Sequence, residues 1–129
     1  MRKLLLAALL GLCLVSPEQA QPYRDNAVAV VKSWYRQYLH REAEPSGLQG
    51  WVTQLRQGQD PTYLLSSLLA SQEYFQNAGS TPAGWIKALY WDLAGRRPTF
   101  RETRYWQGRL EDETYQEVAY ALLLKFGPR

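Results

Sequence analysis

The sequence predicts an all-α fold: about six helices in two tandem three-helix units, forming one compact domain after an N-terminal signal peptide. Three observations predict this fold. Apolar residues recur at three- and four-residue steps, as they do along one face of a helix. Helix-start and helix-stop residues divide the chain into segments of helical length. A short phrase of tyrosine, arginine and tryptophan occurs twice, which indicates an internal repeat.

The signal peptide is predicted over residues 1–20, where Arg2 and Lys3 precede the uncharged apolar run 4–15. Cleavage is expected after Ala20. The apolar run is shorter than the roughly 20 residues that a membrane-spanning helix needs, so no stable membrane insertion is expected after cleavage. A retained N-terminal helix stays open as the alternative.

The composition argues against several classes of function. The formal net charge is +3, and it falls to +2 when the leader removes two cations and one acid, so nucleic-acid binding is not predicted. Cleavage would also remove Cys13, the only cysteine, so the mature chain would hold no disulfide and its stability would depend on packing. Lipid attachment at Cys13 is disfavoured because the bulky Leu12 precedes it.

The first three predicted helices fill the first half of the mature chain. The first runs from about Asp25 to Leu39, and the second begins at Pro45. Asp60 is the predicted N-cap of the third, and Ser71 either extends that helix or opens a short extra turn. Their predicted inner faces comprise Val28, Val31, Tyr35, Tyr38 and Leu39; Leu48, Trp51, Val52 and Leu55; and Leu64, Leu65, Leu68 and Leu69.

The second three predicted helices follow a Gly- and Pro-containing boundary. Thr81 is the predicted cap of the fourth helix, and Gly95 its end. Thr99 and Glu102 form a capping-box pattern for the fifth. The sixth carries the cleanest apolar stripe. Their predicted inner faces comprise Ile86, Leu89, Tyr90 and Leu93; Phe100, Thr103, Trp106 and Leu110; and Tyr115, Val118, Ala119, Leu122, Leu123 and Phe126.

The repeat is defined by two offsets in residue number. An offset of 55 aligns three residue types without a gap, and an offset of 52 aligns a threonine and an aromatic residue further on. The helical domain 21–129 is therefore predicted to contain internal repeats over about 25–78 and 81–129. The aligned pairs are Tyr35 and Tyr90, Arg41 and Arg96, Trp51 and Trp106, Thr62 and Thr114, and Tyr74 and Phe126.

The first copy resembles a bacterial family known only as domain of unknown function four-two-one-four. Its members carry a phrase like aromatic-x-x-Leu-Leu-Gly-Arg-Glu-x-Asp-x-x-Gly-x-x-x-Trp and a helix that ends in Ser-x-Glu-Tyr. His40 stands where Gly is usual, and Glu44 where Asp is usual. The resemblance implies a helical module of exported and surface-associated proteins, with no established activity. The matching residues are Tyr35, Tyr38, Leu39, Arg41, Glu42, Gly47, Trp51, Ser71, Glu73 and Tyr74.

No catalytic, cofactor or metal site is predicted. His40 is the only histidine, and its alignment with Gly95 predicts a place at a helix C-terminus. The acids Glu42, Glu44 and Asp60 lack the ligand spacing of a calcium-binding EF-hand. Ser71 is interpreted as a cap because no base can be assigned to it.

Arg41 and Arg96 are predicted to be structural. A guanidinium can bond helix-end carbonyls and pair with a carboxylate through two hydrogen bonds. Glu73 is the predicted partner of Arg41. For Arg96 the candidate is Asp92, four residues earlier on the same helix.

A possible binding face is predicted on the fifth helix. Arg101, Tyr105 and Arg109 follow at four-residue steps, and Arg104 lies nearby. Trp91 also points away from the inner face of its own helix. Ligand recognition, a protein contact and a plain solvated face are all open interpretations of this pattern.

The function predicted from these observations is that of an exported, non-enzymatic helical module that makes macromolecular contacts at the cell envelope. Its expected location is secreted or periplasmic, and its expected partner is a protein or an envelope glycan. The alternative is a cell-wall or polysaccharide-binding module that uses the exposed aromatic and arginine residues. An envelope enzyme is disfavoured because no catalytic constellation is apparent.

Overall fold

The computed structural model describes residues 17–127, and every regular element in this range is helical, which confirms the all-α prediction. A π-helical turn, Tyr35–Leu39, extends the second helix. The eight α-helices of this range are α1 Pro17–Asp25, α2 Ala27–Trp34, α3 Pro45–Arg56, α4 Pro61–Leu69, α5 Gln72–Asn77, α6 Pro82–Ala94, α7 Phe100–Leu110 and α8 Tyr115–Phe126.

The predicted caps Asp60, Thr81 and Thr99 are confirmed. The helix predicted from about Asp25 begins instead at Ala27, and neither it nor the helix that begins at Pro45 has a side-chain cap. The Asp60 carboxylate accepts from the Thr62 backbone N–H, and Ser71 opens α5 as a helix of its own. Thr99 and Glu102 form both hydrogen bonds of a capping box at the start of α7. Each cap satisfies backbone donors that have no partner inside the helix, which explains why the chain begins its helices at these residues.

His40 and Gly95, which the predicted repeat aligns, end their helices with the same backbone conformation. His40 has φ 55° and Gly95 has φ 68°, both in the left-handed region. Glycine adopts this region without steric strain, and histidine enters it more readily than a bulky or branched residue. The structure thus confirms that His40 occupies a helix C-terminus.

The core is built from aromatic and leucine side chains of both halves of the chain. α2 packs on α3, α6 packs on α7, and α4 and α8 pack against each other. Trp85, which the sequence reading did not place in the core, is fully buried, and its indole N–H donates to the Leu69 carbonyl at 2.8 Å. The Trp85 ring thereby joins α6 to the end of α4. Trp34 is buried as well.

Two inner-face predictions are wrong, and six hold only in part. The six partly buried residues are Leu48, Trp51, Thr103, Leu110, Tyr115 and Phe126. Phe100 is 76% exposed because it begins α7 about 120° around the helix from the buried Trp106. Val28 is exposed, whereas Val31 on the same helix is fully buried. Trp51 is only half-buried, so it does not match the burial of Trp106.

The predicted signal peptide lies almost wholly outside the described residues. Helix α1 runs through Ala20, the predicted cleavage position, and packs against α3. Cleavage therefore stays a prediction. Within residues 17–127, no helix has both the length and the apolar character needed to cross a membrane.

Candidate functional site

Arg41 lies at the centre of a polar cluster at the end of the π-helical turn. Its guanidinium donates to Glu73 through Nε at 2.6 Å and Nη2 at 2.8 Å, which confirms the predicted pair. Nη1 donates to Glu44 Oε2 at 2.6 Å and to the Glu42 carbonyl at 2.9 Å. The guanidinium also lies over the Tyr35 ring, 5.0 Å from its centroid. Arg41 thereby fastens the loop before α3 to helix α5.

Arg96 forms an equivalent cluster at the end of α6. It lies over the Tyr90 ring at 5.2 Å, and its Nη1 donates to the Arg97 carbonyl at 3.0 Å. The predicted partner was wrong, because the carboxylate that Arg96 binds is Glu102, at 2.8 and 2.9 Å, and not Asp92. The Asp92 carboxylate instead accepts from the Tyr74 hydroxyl at 2.7 Å, and Glu102 lies where the guanidinium reaches both of its oxygens.

Glu102 collects several hydrogen bonds in this second cluster. Besides Arg96, it accepts from the Tyr90 hydroxyl at 3.0 Å and from the Thr99 backbone N–H at 2.9 Å. The Tyr90 hydroxyl in turn accepts from the Trp106 indole N–H at 2.8 Å. Hydrogen bonds from Arg96 and from the Thr99 backbone hold the pKa of Glu102 far below its usual range. The motif residues thus support the fold through hydrogen bonds within the chain.

The exposed side of α7 has a different character. We call Phe100, Arg101, Arg104 and Tyr105 the aromatic–arginine surface; at 100° per residue they share an arc of about 140°. Phe100 is 76% exposed and Tyr105 is 56% exposed. The Arg104 guanidinium lies 5.7 Å from the Phe100 ring centroid. Within residues 17–127, neither Arg101 nor Arg104 forms an ion pair.

Arg109 does not belong to the aromatic–arginine surface, contrary to the predicted four-residue stripe. Two four-residue steps rotate a side chain by about 80°, which brings Arg109 to the edge of the core. There it pairs with Glu113, donates to the Tyr105 hydroxyl at 3.0 Å, and lies 5.3 Å from the Trp106 ring centroid. Arg109 therefore holds Tyr105 in place and has little freedom to bind a ligand itself.

Trp91 lies in a separate groove of about 220 Å³, between the π-helical turn, α5 and α6. The indole is 49% exposed. No residue of the aromatic–arginine surface lines this groove. Trp91 and that surface therefore do not form the single binding face that is predicted from the sequence. We call this groove the Trp91 groove; its lining residues are Tyr38, His40, Tyr74, Asn77, Ala78, Ala88, Trp91 and Asp92.

Asp92 and Tyr74 are joined in the Trp91 groove. The Tyr74 hydroxyl donates to Asp92 Oδ2 at 2.7 Å, and burial raises the pKa of both groups. The sequence gives no signal for this pair, since 18 residues and a helix boundary separate its members. Among residues 17–127, no cluster of His, Cys, Asp or Glu has the arrangement needed to hold a metal ion.

Comparison with known proteins assigns the chain to a family. A family model described as domain of unknown function (DUF4214) matches residues 13–78, slightly more than half of the chain. The chain belongs to the DUF4214 family. The matched region contains the whole first predicted repeat of this DUF4214 protein, including Arg41, Glu73 and Tyr74. No curated protein and no solved structure matches the chain.

Proposed function

We propose that this DUF4214 protein is an exported, non-enzymatic helical module that makes macromolecular contacts at the cell envelope through its aromatic–arginine surface. The observation that carries the proposal is the exposure of Phe100 and Tyr105 beside two arginines that have no carboxylate partner among the described residues. Exposed rings next to cations are typical of contact surfaces. On binding, the apolar area of the rings is removed from water and the cations gain charged partners.

The contrast with the other arginines supports this assignment. Arg36, Arg41, Arg96 and Arg109 each form an ion pair within the chain. An arginine that is already paired has little to gain from a partner molecule. Of the arginines that form no ion pair among residues 17–127, Arg104 is the one that lies over an exposed ring, that of Phe100. The aromatic–arginine surface thus offers unpaired cations beside apolar area, and we propose an acidic protein surface as its partner.

The carboxylates of the two arginine clusters support a non-enzymatic role. Glu44, Glu73 and Glu102 all have pKa values below the usual range, because each accepts hydrogen bonds from an arginine. Such acids stay ionised and hold loops to helices, whereas a general acid or base needs a pKa near the working pH.

The alternative function is that of a polysaccharide-binding module. It is favoured by the exposed rings of the aromatic–arginine surface, which can stack on sugars.

A quantitative pull-down from envelope fractions tests this function. The variant R101Q/R104Q should retain less material than the wild type, and the loss should grow smaller as salt rises, because exposed charges are screened within about 8–10 Å at physiological ionic strength. The matched control R56Q/K87Q removes the same charge from two exposed positions elsewhere. Equal retention by both variants would contradict the proposal, and loss of retention after glycan digestion would favour the polysaccharide alternative.

Export is proposed on the pattern of Arg2, Lys3 and the apolar run that follows them. Protein recovered from the host cell should lie outside the cytoplasm, and its N-terminal sequence should begin at or near Gln21. Intact Met1 on material that remains in the cytoplasm would contradict export.

A further inference from the structure

We propose that the Trp91 groove binds a single neutral sugar ring of a glycan. This site is distinct from the aromatic–arginine surface and does not depend on the function proposed for it. Three elements converge at the groove: the π-helical turn that ends at His40, helix α5 with Tyr74, and helix α6 with Trp91. None of the pairs that stabilise the two arginine clusters lies within it.

Trp91 provides a flat apolar wall. Its inner-face neighbours Leu89 and Tyr90 are fully buried, whereas about half of the Trp91 side chain meets solvent. Ala78 and Ala88 also line the groove, and their small side chains leave the space in front of it open. The C–H bonds of a sugar ring carry partial positive charge, so they are attracted to the negative face of an indole.

The polar residues of the groove match the hydroxyl groups of a sugar. A sugar hydroxyl can both donate and accept a hydrogen bond, and the groove contains donors and acceptors. The Asn77 amide can donate or accept, and the two ring nitrogens of His40 provide further hydrogen-bonding positions. Asp92 accepts from Tyr74 with one oxygen, and a carboxylate has lone pairs for further donors. A sugar beside Trp91 would therefore find acceptors and donors on one side and an apolar face on the other.

The groove is already formed in the free protein. The short bond between the Tyr74 hydroxyl and Asp92 fixes both side chains, and Ser71 fixes the start of α5 by accepting from the Tyr74 backbone N–H. His40 is held by the left-handed backbone that ends the π-helical turn. Tyr74 and Asp92 thus need little side-chain ordering on binding, which favours a weakly binding ligand such as a sugar.

Size and charge define the class of ligand. The volume of about 220 Å³ lies below the roughly 300–1,000 Å³ typical of sites for drug-sized ligands, so one ring fits better than an extended chain segment. Asp92 is the carboxylate of the lining, His40 is its one basic side chain, and Arg and Lys are absent from it. A strongly anionic ligand would lie against the Asp92 carboxylate with neither an arginine nor a lysine in that lining to bind it.

Calorimetric titration of the full chain with cellotetraose, mannotetraose and chitotetraose tests the site. At least one of these neutral oligosaccharides should bind, and Trp91→Ala should weaken its affinity by about tenfold, equivalent to ~1.4 kcal/mol. Trp91 is exposed, so this variant should fold like the wild type, which circular dichroism checks. The matched control is Tyr105→Ala, which removes a comparably exposed ring from the aromatic–arginine surface.

The proposal holds if Trp91→Ala loses affinity and Tyr105→Ala binds as the wild type does. It is overturned if none of the three oligosaccharides binds, or if Trp91→Ala binds them unchanged. An equal loss in both variants would also overturn it, because the sugar would then not be specific to the groove. Tighter binding of tetramethylammonium than of any oligosaccharide would identify a cation site instead.

Discussion

Glu44 and Glu102 bring a carboxylate to equivalent arginines from different positions of a helix start. Glu44 is the N-cap residue of α3, whereas Glu102 is the third residue of α7 and aligns with Gly47 at the repeat offset of 55. A Cβ atom on Gly47 would lie 2.9 Å from the Tyr35 hydroxyl and would also meet the Glu44 carboxylate. The absence of a side chain at Gly47 therefore leaves room for the acid that replaces Glu102 in the first copy.

Gly47→Ala should be less stable than Gly50→Ala by about 0.5–1 kcal/mol, because the added Cβ displaces the Glu44 carboxylate from Arg41 and meets the Tyr35 hydroxyl. The matched control is Gly50→Ala in the same helix, where an added Cβ meets nothing within 4 Å. Because alanine is the better helix former, this control should stabilise the protein by about 0.5–1 kcal/mol. Urea denaturation measures both changes, and equal effects would disprove the account of Gly47.

Glu102→Gln should lower stability at neutral pH by about 1–2 kcal/mol, because Arg96 and Tyr90 lose an ionised partner. The pKa of Glu102 is lower in the folded state, so its contribution is present above the unfolded pKa of about 4.3 and is lost as pH falls. Melting curves between neutral and acidic pH should converge for the wild type and the variant. The exposed Glu111→Gln is the control, because Glu111 forms no ion pair among the described residues, and it should melt like the wild type at neutral pH.

Asp92→Asn should raise the stability of the protein at neutral pH, whereas Glu102→Gln should lower it. Burial raises the pKa of Asp92 in the folded state, so the ionised carboxylate destabilises the fold once pH rises through the unfolded value. Asparagine keeps an acceptor for the Tyr74 hydroxyl and carries no charge. The variant should melt at a higher temperature than the wild type at neutral pH, with no such gain in acid. A lower melting temperature at neutral pH would contradict this reading of the groove.

Trp106→Ala should destabilise the protein by about 3–5 kcal/mol, as truncation of a large core ring does. Trp106 is 4% exposed and its indole N–H donates to Tyr90, whereas the aligned Trp51 is half-buried. Trp51→Ala should therefore have a clearly smaller effect. Denaturant titration of the two variants compares them, and equal losses would show that burial in the two copies is energetically equivalent.

Helix starts and one ion pair could be predicted from the sequence because they depend on local chemistry or on a repeated phrase. Caps such as Thr99 act on backbone groups within a single turn, and Glu73 belongs to the same motif as Arg41. The partner of Arg96 could not be predicted, since a long guanidinium side chain reaches acids on either side and periodicity does not choose between them. Phe100 is predicted on the inner face of its helix but is exposed, because a helical pattern does not show where the first turn meets the core.

The Trp91 groove could not be predicted because its parts come from three separate elements. Nothing in the spacing of Tyr74, Trp91 and His40 shows that their helices converge. Trp91 was recognised as exposed from its helix phase, yet its neighbours depend on how α6 packs against α5, which only the tertiary structure defines.

Photo-crosslinking at the aromatic–arginine surface tests the central claim most directly. Benzoylphenylalanine placed at Phe100 replaces one exposed ring with another, and the matched control position is Leu124, which is 66% exposed on α8. Irradiation of intact host cells should give a discrete adduct with an acidic protein from position 100 and none from position 124. The adduct should disappear when R101Q and R104Q are added. No adduct at position 100, or the same adducts from both positions, would contradict the claim that this surface makes the protein's contacts.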